Sequence, residues 1–104
     1  MRKALSEHLK NFNYWKEHHL IEFEFGYLLW RWGTKNSIEI IDIFVESDKR
    51  KKGIGSRMVN MLYKENPEFI YAFTKSDNKT AQKFYAHCGM EKIGEIKGNY
   101  IYGK

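Results

Sequence analysis

The stretch from Ile38 to Ser56, IEIIDIFVESDKRKKGIGS, constrains the fold more than any other part of the chain. It opens as a β-branched apolar run, the composition of a strand covered on both faces. Four basic residues follow (Lys49, Arg50, Lys51 and Lys52), then Gly53 and Gly55. From Ile54 onward, Met58, Met61 and Leu62 recur at helical spacing. A strand, a basic glycine turn and a helix together form an anion-binding device. The first-turn N–H groups of a helix lack intrahelical partners, the dipole is positive there, and glycines let the backbone close around a phosphate.

Two familiar phosphate patterns are excluded. The dinucleotide fingerprint needs a third glycine where Met58 stands, and no Gly-Lys-Ser/Thr of a nucleoside-triphosphate loop is present. What remains is Arg50-Lys51-Lys52-Gly53-Ile54-Gly55, a match to R/Q-x-x-G-x-G/A. A charged connection between two elements is the plain alternative for so short a pattern.

Composition narrows the setting. With 104 residues, 42% hydrophobic and 30% charged, the chain reads as one soluble globular domain over 1–104 that builds a core without staples. No apolar run approaches the ~20 residues of a membrane span. The opening Met-Arg-Lys-Ala-Leu-Ser-Glu-His lacks the apolar segment of a secretion signal. Cys88 is the only cysteine, which rules out an internal disulfide and fits a reducing cytoplasm. Of the net charge of +5, Lys49 to Lys52 carry +4, which leaves +1 for the rest. The excess sits beside the glycine turn and not along an exposed stripe, which argues against nucleic acid as the partner.

Residues 3–17 carry Leu5, His8, Leu9, Phe12 and Trp15 at helical intervals, with His8 a core-edge side chain. His18 and His19 have no partner at metal spacing, so no metal site is expected. Ile21 to Phe25 alternates as a half-exposed strand, Gly26 interrupts, and Tyr27 to Trp32 resumes with broken parity, as at a bulge or bend. Gly33 to Asn36 is a turn that pairs this strand with the organising one as an antiparallel hairpin. Trp30 and Trp32 share a face, packed under the N-terminal helix or exposed toward an acceptor or a second subunit. A helix from about Gly53 to Lys64 stops at Asn66-Pro67, and Phe69 to Thr74 forms a strand parallel to the organising one. Ser76-Asp77 caps a last helix that turns Ala81, Phe84, Tyr85 and Cys88 inward and closes at Gly89. Strands Lys92–Lys97 and Asn99–Tyr102 finish the chain around Gly98.

That last helix holds a second motif. Asn78, Ala81, Phe84, Tyr85 and Gly89 match N-x-x-A-x-x-F-Y-x-x-x-G-F, with Met90 in place of the final phenylalanine. Over residues 20–104 the two ordered motifs resemble the GNAT-type N-acetyltransferases. The resemblance implies an α/β (α+β) fold: a mixed, mostly antiparallel sheet with a splayed parallel central pair and flanking helices. It also implies acetyl-CoA as cosubstrate, with no metal.

Residue by residue, the resemblance places the pyrophosphate on backbone N–H groups of Lys51, Lys52, Gly53, Ile54, Gly55 and Ser56, with charge from Arg50 and Lys52. Main-chain groups of Phe44 and Val45 take the pantetheine amides, Val45 polarises the acetyl carbonyl, and Asn78 meets the cofactor arm. Tyr85 matches the tyrosine that protonates the departing sulfur, with a core aromatic as its alternative. Glu39, eleven residues before Arg50, matches the glutamate base of histone-acetylating members. A solvated strand-start carboxylate is its alternative. Asp42 and Glu46 are nearer candidates that an ideal strand turns to the other face and a bulge would bring back. Cys88 reads as a small buried residue.

About 19 residues precede the first strong strand, fewer than the strand and two helices of full-length members. The acceptor side is then open, which suits a protein lysine, or is completed by a homodimer. A small amine or polyamine acceptor, and a non-catalytic CoA-binding module, are the alternative readings.

Overall fold

The computed structural model describes residues 18–49 and 53–104. The helix read over residues 3–17 and the basic residues Arg50, Lys51 and Lys52 lie outside them. Six strands form one sheet in the order β1-β2-β3-β4-β6-β5. They are β1 (His19–Phe23), β2 (Gly26–Trp32), β3 (Ser37–Val45), β4 (Phe69–Lys75), β5 (Glu91–Ile96) and β6 (Asn99–Gly103). Helix α1 (Ile54–Met61) runs on into a 3-10 turn, Leu62–Glu65, and α2 (Lys79–His87) follows β4. Only β3 and β4 are parallel, with α1 as their crossover; every other pairing is antiparallel. This is the mixed sheet expected from the sequence.

Alternation along the strands sorts the two faces. Leu28, Trp30, Ile38, Ile40, Ile70, Ala72 and Tyr102 point to the helices, where Met58, Val59, Leu62, Tyr85, Cys88 and Met90 close the core. Met58 and Leu62 are the fully buried members of the stripe read in α1, and Val59 joins them. Trp30 is 5% exposed within this cluster, the packed one of the two readings, whereas Trp32 on the same strand is exposed. Lys104 Nζ bonds Asn60 Oδ1 at 2.9 Å and the Cys88 carbonyl at 3.0 Å, tying α1 to the end of α2.

Three local readings are corrected. Residues 21–32 form two strands and not one bent strand: Phe23 pairs with Gly26 across a two-residue turn, Glu24-Phe25. That turn has neither glycine nor a positive φ, so the usual hairpin signal is missing. The cap of α2 is Asn78, whose side chain accepts from the Ala81 N–H at 3.0 Å, in place of Ser76-Asp77. The bulge read near Gly26 lies elsewhere. Leu29 pairs with Asp42 but Trp30 pairs with Ile40, so the extra residue is Ile41 of β3.

Gly26 sits where β2 crosses closest to β3. A Cβ there would stand 2.0 Å from the Phe44 carbonyl oxygen, a backbone atom fixed in the sheet. Gly26→Ala is therefore expected to destabilise the fold by about 3 kcal/mol, the upper range for overpacking. A thermal melt should fall by more than ~10 °C; an unchanged melting temperature would contradict this register.

Candidate active site

β3 and β4 run side by side only from Ser37/Phe69 to Ile40/Ala72. Past that point β3 continues against β2, and β4 against β6. The bulge at Ile41 falls where the two strands part, and a bulged strand bends and twists more strongly. Between them opens a cleft of about 1180 Å³, floored by Ile41 to Val45 and Phe73 to Lys75 and walled by both helices.

At one end of the cleft stands the start of α1. Gly53 is its N-cap at φ 78°, a left-handed conformation that favours glycine, and no side chain caps the helix. Its first turn carries no acidic residue, so no side chain of that turn offsets the positive end of the dipole. Gly55 has a packing reason of its own: a Cβ there would meet the Phe84 ring at 2.6 Å. The glycine lets α1 and α2 close against each other. Ser56 lines the cleft beside it.

From the other wall α2 contributes Asn78, Ala81, Phe84, Tyr85 and Cys88. The Asn78 carbonyl is committed to the cap, which leaves its amide nitrogen as the donor. The Tyr85 ring stacks on Tyr102 at 5.9 Å and meets Phe84 edge-on at 5.7 Å. Burial, joined by the charge of Asp42, raises the Tyr85 phenol far above its ordinary range, so it keeps its proton. Burial pushes the Cys88 thiol up to about 11, against an opposing pull from Lys104.

The cleft thus gathers Phe44, Val45, Gly53, Gly55, Ser56, Asn78 and Tyr85 from the sequence reading. Ile54 instead turns its side chain to a separate groove with Phe23, Phe25 and Met61. Glu39 does not line the cleft. It is 8% exposed and bound to Arg31, whose Nε and Nη2 both stand 2.9 Å from Oε1. Tyr71 lies across from it; burial first, then the charge of Glu39, raises that phenol, while Arg31 and a hydrogen bond with Ser37 oppose. The bulge does what the sequence reading allowed for it. Glu39 faces Arg31 and Asp42 faces Leu29, so both carboxylates lie on the side of the sheet away from the helices. Asp42 lines the cleft and accepts a 2.7 Å hydrogen bond from the Tyr27 hydroxyl. Glu46 is exposed past the end of β3.

One cleft residue escaped the sequence reading. Thr74 Oγ1 is buried with no hydrogen-bond partner among the described residues, yet Thr74 lines the cleft. An orphaned buried hydroxyl costs roughly 1–3 kcal/mol unless a ligand meets it. The signal was present: Thr74 is the polar residue at the inward parity of Ile70 and Ala72. An elongated polar ligand laid between the strands fits both this hydroxyl and the uncapped helix.

The model of the acetyltransferase (GNAT) family matches residues 4–90. The chain belongs to the GNAT acetyltransferase family. Acetyl-CoA is the cosubstrate of these enzymes. A structure from Desulfovibrio desulfuricans assigned to this family superposes with a TM-score of 0.71 at 16% identity, over 98% of this chain and 76% of that one. PaiA N-acetyltransferase from Thermoplasma acidophilum in complex with coenzyme A gives 0.64 at 15% identity, over 77% of this chain and 52% of that one. Arabidopsis thaliana Naa50 with the bisubstrate analogue CoA-Ac-MVNAL gives 0.60 at 24%, over 77% and 64%. The present chain therefore spans less than two thirds of the latter two proteins. No curated protein matches it in sequence. Among the described residues no three metal-ligating side chains gather, and no helix is long and apolar enough to cross a membrane.

A thiol at about 11 is almost wholly protonated at pH 8. Cys88 should therefore react with iodoacetamide about two orders of magnitude more slowly than an unperturbed thiol. Mass spectrometry of the native and urea-unfolded protein checks this, and rapid native alkylation would contradict the burial of Cys88.

Proposed function

We propose that residues 1–104 form an acetyl-CoA-dependent N-acetyltransferase domain that acetylates a primary amine by direct attack, with a lysine of a protein as acceptor. The observation that carries it is the cleft, where the parted strands, the uncapped start of α1, Thr74 and Tyr85 meet in one elongated space. The pyrophosphate is assigned to the N–H groups from Lys51 to Ser56, with Arg50 and Lys52 beside them. The pantetheine arm is assigned to Phe44, Val45, Thr74 and Asn78. The reducing cytoplasm, where Cys88 stays a thiol, is the compartment proposed.

When bound, acetyl-CoA supplies an acetyl thioester. The Val45 N–H is assigned to its carbonyl oxygen, as an oxyanion donor. Tyr85 holds a proton for the sulfur: as the C–S bond breaks and the C–N bond forms, sulfur gains that proton. The nitrogen sheds one, which restores the phenol. Burial supports this role, because a phenol that ionises far above 10 stays a donor throughout the range in which the protein works. The same shift adds to stability below pH ~10, where folded and unfolded chains both hold the proton, and that contribution is lost as pH rises further.

The acceptor class rests on the opposite side of the sheet. Phe73, at the cleft, is 44% exposed, and the register places Ile101 and Ile96 on its face. Ile93 and Ile96 are exposed by 53% and 51%. An apolar surface beside an amine entrance suits a folded protein better than a free polyamine.

Acetyl-CoA at 100 times its dissociation constant should stabilise the fold by about 2.7 kcal/mol, roughly 10 °C in a melt, with no such shift from NAD. Ser56→Asp separates binding from folding. Its charge favours the helix start but repels a phosphate, so the free protein should melt no lower while the acetyl-CoA shift disappears. Tyr85→Phe should lower kcat by about 100-fold with cofactor affinity kept. With labelled acetyl-CoA, transfer to lysines of folded proteins is expected. Label on spermidine alone would overturn the acceptor class, and no transfer to any amine would leave a CoA-binding module.

A further inference from the structure

Resting on the acetyltransferase reading, we propose that Thr74 is a specificity-determining residue for the acyl donor: its hydroxyl bonds an amide of the donor's arm, so the cleft selects thioesters that carry such an arm. Three observations carry this. Thr74 is 6% exposed, and its Oγ1 has no hydrogen-bond partner among the described residues. It lines the cleft. It also stands just past the last β3–β4 pair, Ile40 with Ala72, where the two strands have parted.

The inward row of β4 shows what the position would hold if packing alone chose it. Ile70 and Ala72 are apolar and fully buried, and Thr74 continues their parity. Valine has the same shape and the same β-branched fit to a strand, without a hydroxyl to desolvate. The polar groups at the end of β4 do not serve that hydroxyl. Gln82 Nε2 donates to the Lys75 carbonyl at 3.2 Å and to the Ser76 carbonyl at 3.0 Å, and the Ser76 N–H donates to the Gly98 carbonyl at 3.0 Å. The strand end is thus pinned to α2 and to the β5–β6 turn by bonds that bypass Thr74. A hydroxyl kept in an apolar row against its own cost is accounted for by a ligand that meets it.

Position along the strand names the part of the ligand. Tyr85 stacks on Tyr102, which pairs with Ala72, so the Tyr85 ring marks the level of Ala72. Thr74 pairs with Tyr100, two residues or about 7 Å nearer the open end of the cleft. The uncapped start of α1 follows the end of β3 on that same side. With sulfur beside Tyr85 and pyrophosphate at α1, what passes Thr74 is the arm between them. That arm carries amides and no charge, and a hydroxyl that both donates and accepts suits an amide. One staggered step about Cα–Cβ exchanges the hydroxyl with the methyl, so the oxygen reaches a bound amide without backbone movement.

Thr74→Val keeps the shape and removes the hydroxyl. The free protein should melt higher, by about 4 °C or more, while calorimetry should show acetyl-CoA bound about 5-fold more weakly. S-acetylpantetheine, which has the arm and no nucleotide, should lose the same factor. 3′-Phospho-ADP, which has the phosphates and no arm, should lose nothing. Thr74→Ser should reverse the pattern, with a lower melt from the lost methyl and an acetyl-CoA affinity within about 2-fold of the unaltered protein. A lower melt in Thr74→Val would show the hydroxyl already satisfied and overturn the proposal. Unchanged acetyl-CoA affinity, or an equal loss for 3′-phospho-ADP, would make Thr74 a packing residue and overturn it as well. Failure of the unaltered protein to bind acetyl-CoA is a different result, since it defeats the acetyltransferase reading itself.

Discussion

The parting of β3 from β4 after Ile40 and Ala72 is the constraint on which the rest depends. Two parallel strands that stay paired satisfy each other's backbone groups and leave no room for a ligand. Here β3 gains one residue at Ile41, bends, and keeps its ladder with β2 while losing the one with β4. Strands that diverge between two layers would normally let the core collapse into the gap. That collapse is resisted by side chains large enough to hold the walls apart: Tyr85 and Phe84 from α2, and Tyr102 beneath. The cost remains visible in Thr74, whose hydroxyl is buried without a partner among the described residues.

The walls need glycine as much as bulk. At Gly55 the first turn of α1 comes so near the Phe84 ring that no Cβ fits between them. One residue of the phosphate-loop motif is therefore fixed by helix packing, and one residue of the α2 motif supplies the ring it packs on. The two motifs, 29 positions apart from Gly55 to Phe84, are halves of a single contact. At the far end, Lys104 bonds Asn60 of α1 and the terminal carbonyl of α2. A cation at a helix C-terminus is favourable in its own right, and here it also holds the cleft walls at a fixed spacing.

Most of this was legible because it is written in local chemistry. The apolar run of β3, the glycines at the start of α1 and the inward stripe of α2 follow from periodicity and caps, and each stands where the sequence reading put it. The β1–β2 turn was not legible, since Glu24 and Phe25 turn without glycine or a positive φ. The cap of α2 was misplaced by one to two residues because Ser76, Asp77 and Asn78 all have capping side chains, and only the fold decides which one bonds Ala81. The carboxylates show the deeper limit. Counting back from the basic turn selects Glu39, and its bond to Arg31, eight residues earlier on the neighbouring strand, is set by the β2–β3 register and not by local sequence.

That pairing has a consequence for how charge is divided across the sheet. Arg31, Glu39, Ser37 and Tyr71 form a polar cluster where β3 and β4 are still joined, with Gly33 giving the Tyr71 hydroxyl and Ser37 Oγ room to approach. A few residues further along the same strand, Asp42 stands where they have parted. The ion pair fastens β2 to β3 at the closed end, and removing Arg31 would leave the buried Glu39 carboxylate without its guanidinium. The bulge at Ile41 keeps Glu39 and Asp42 on one face while only the second reaches the gap.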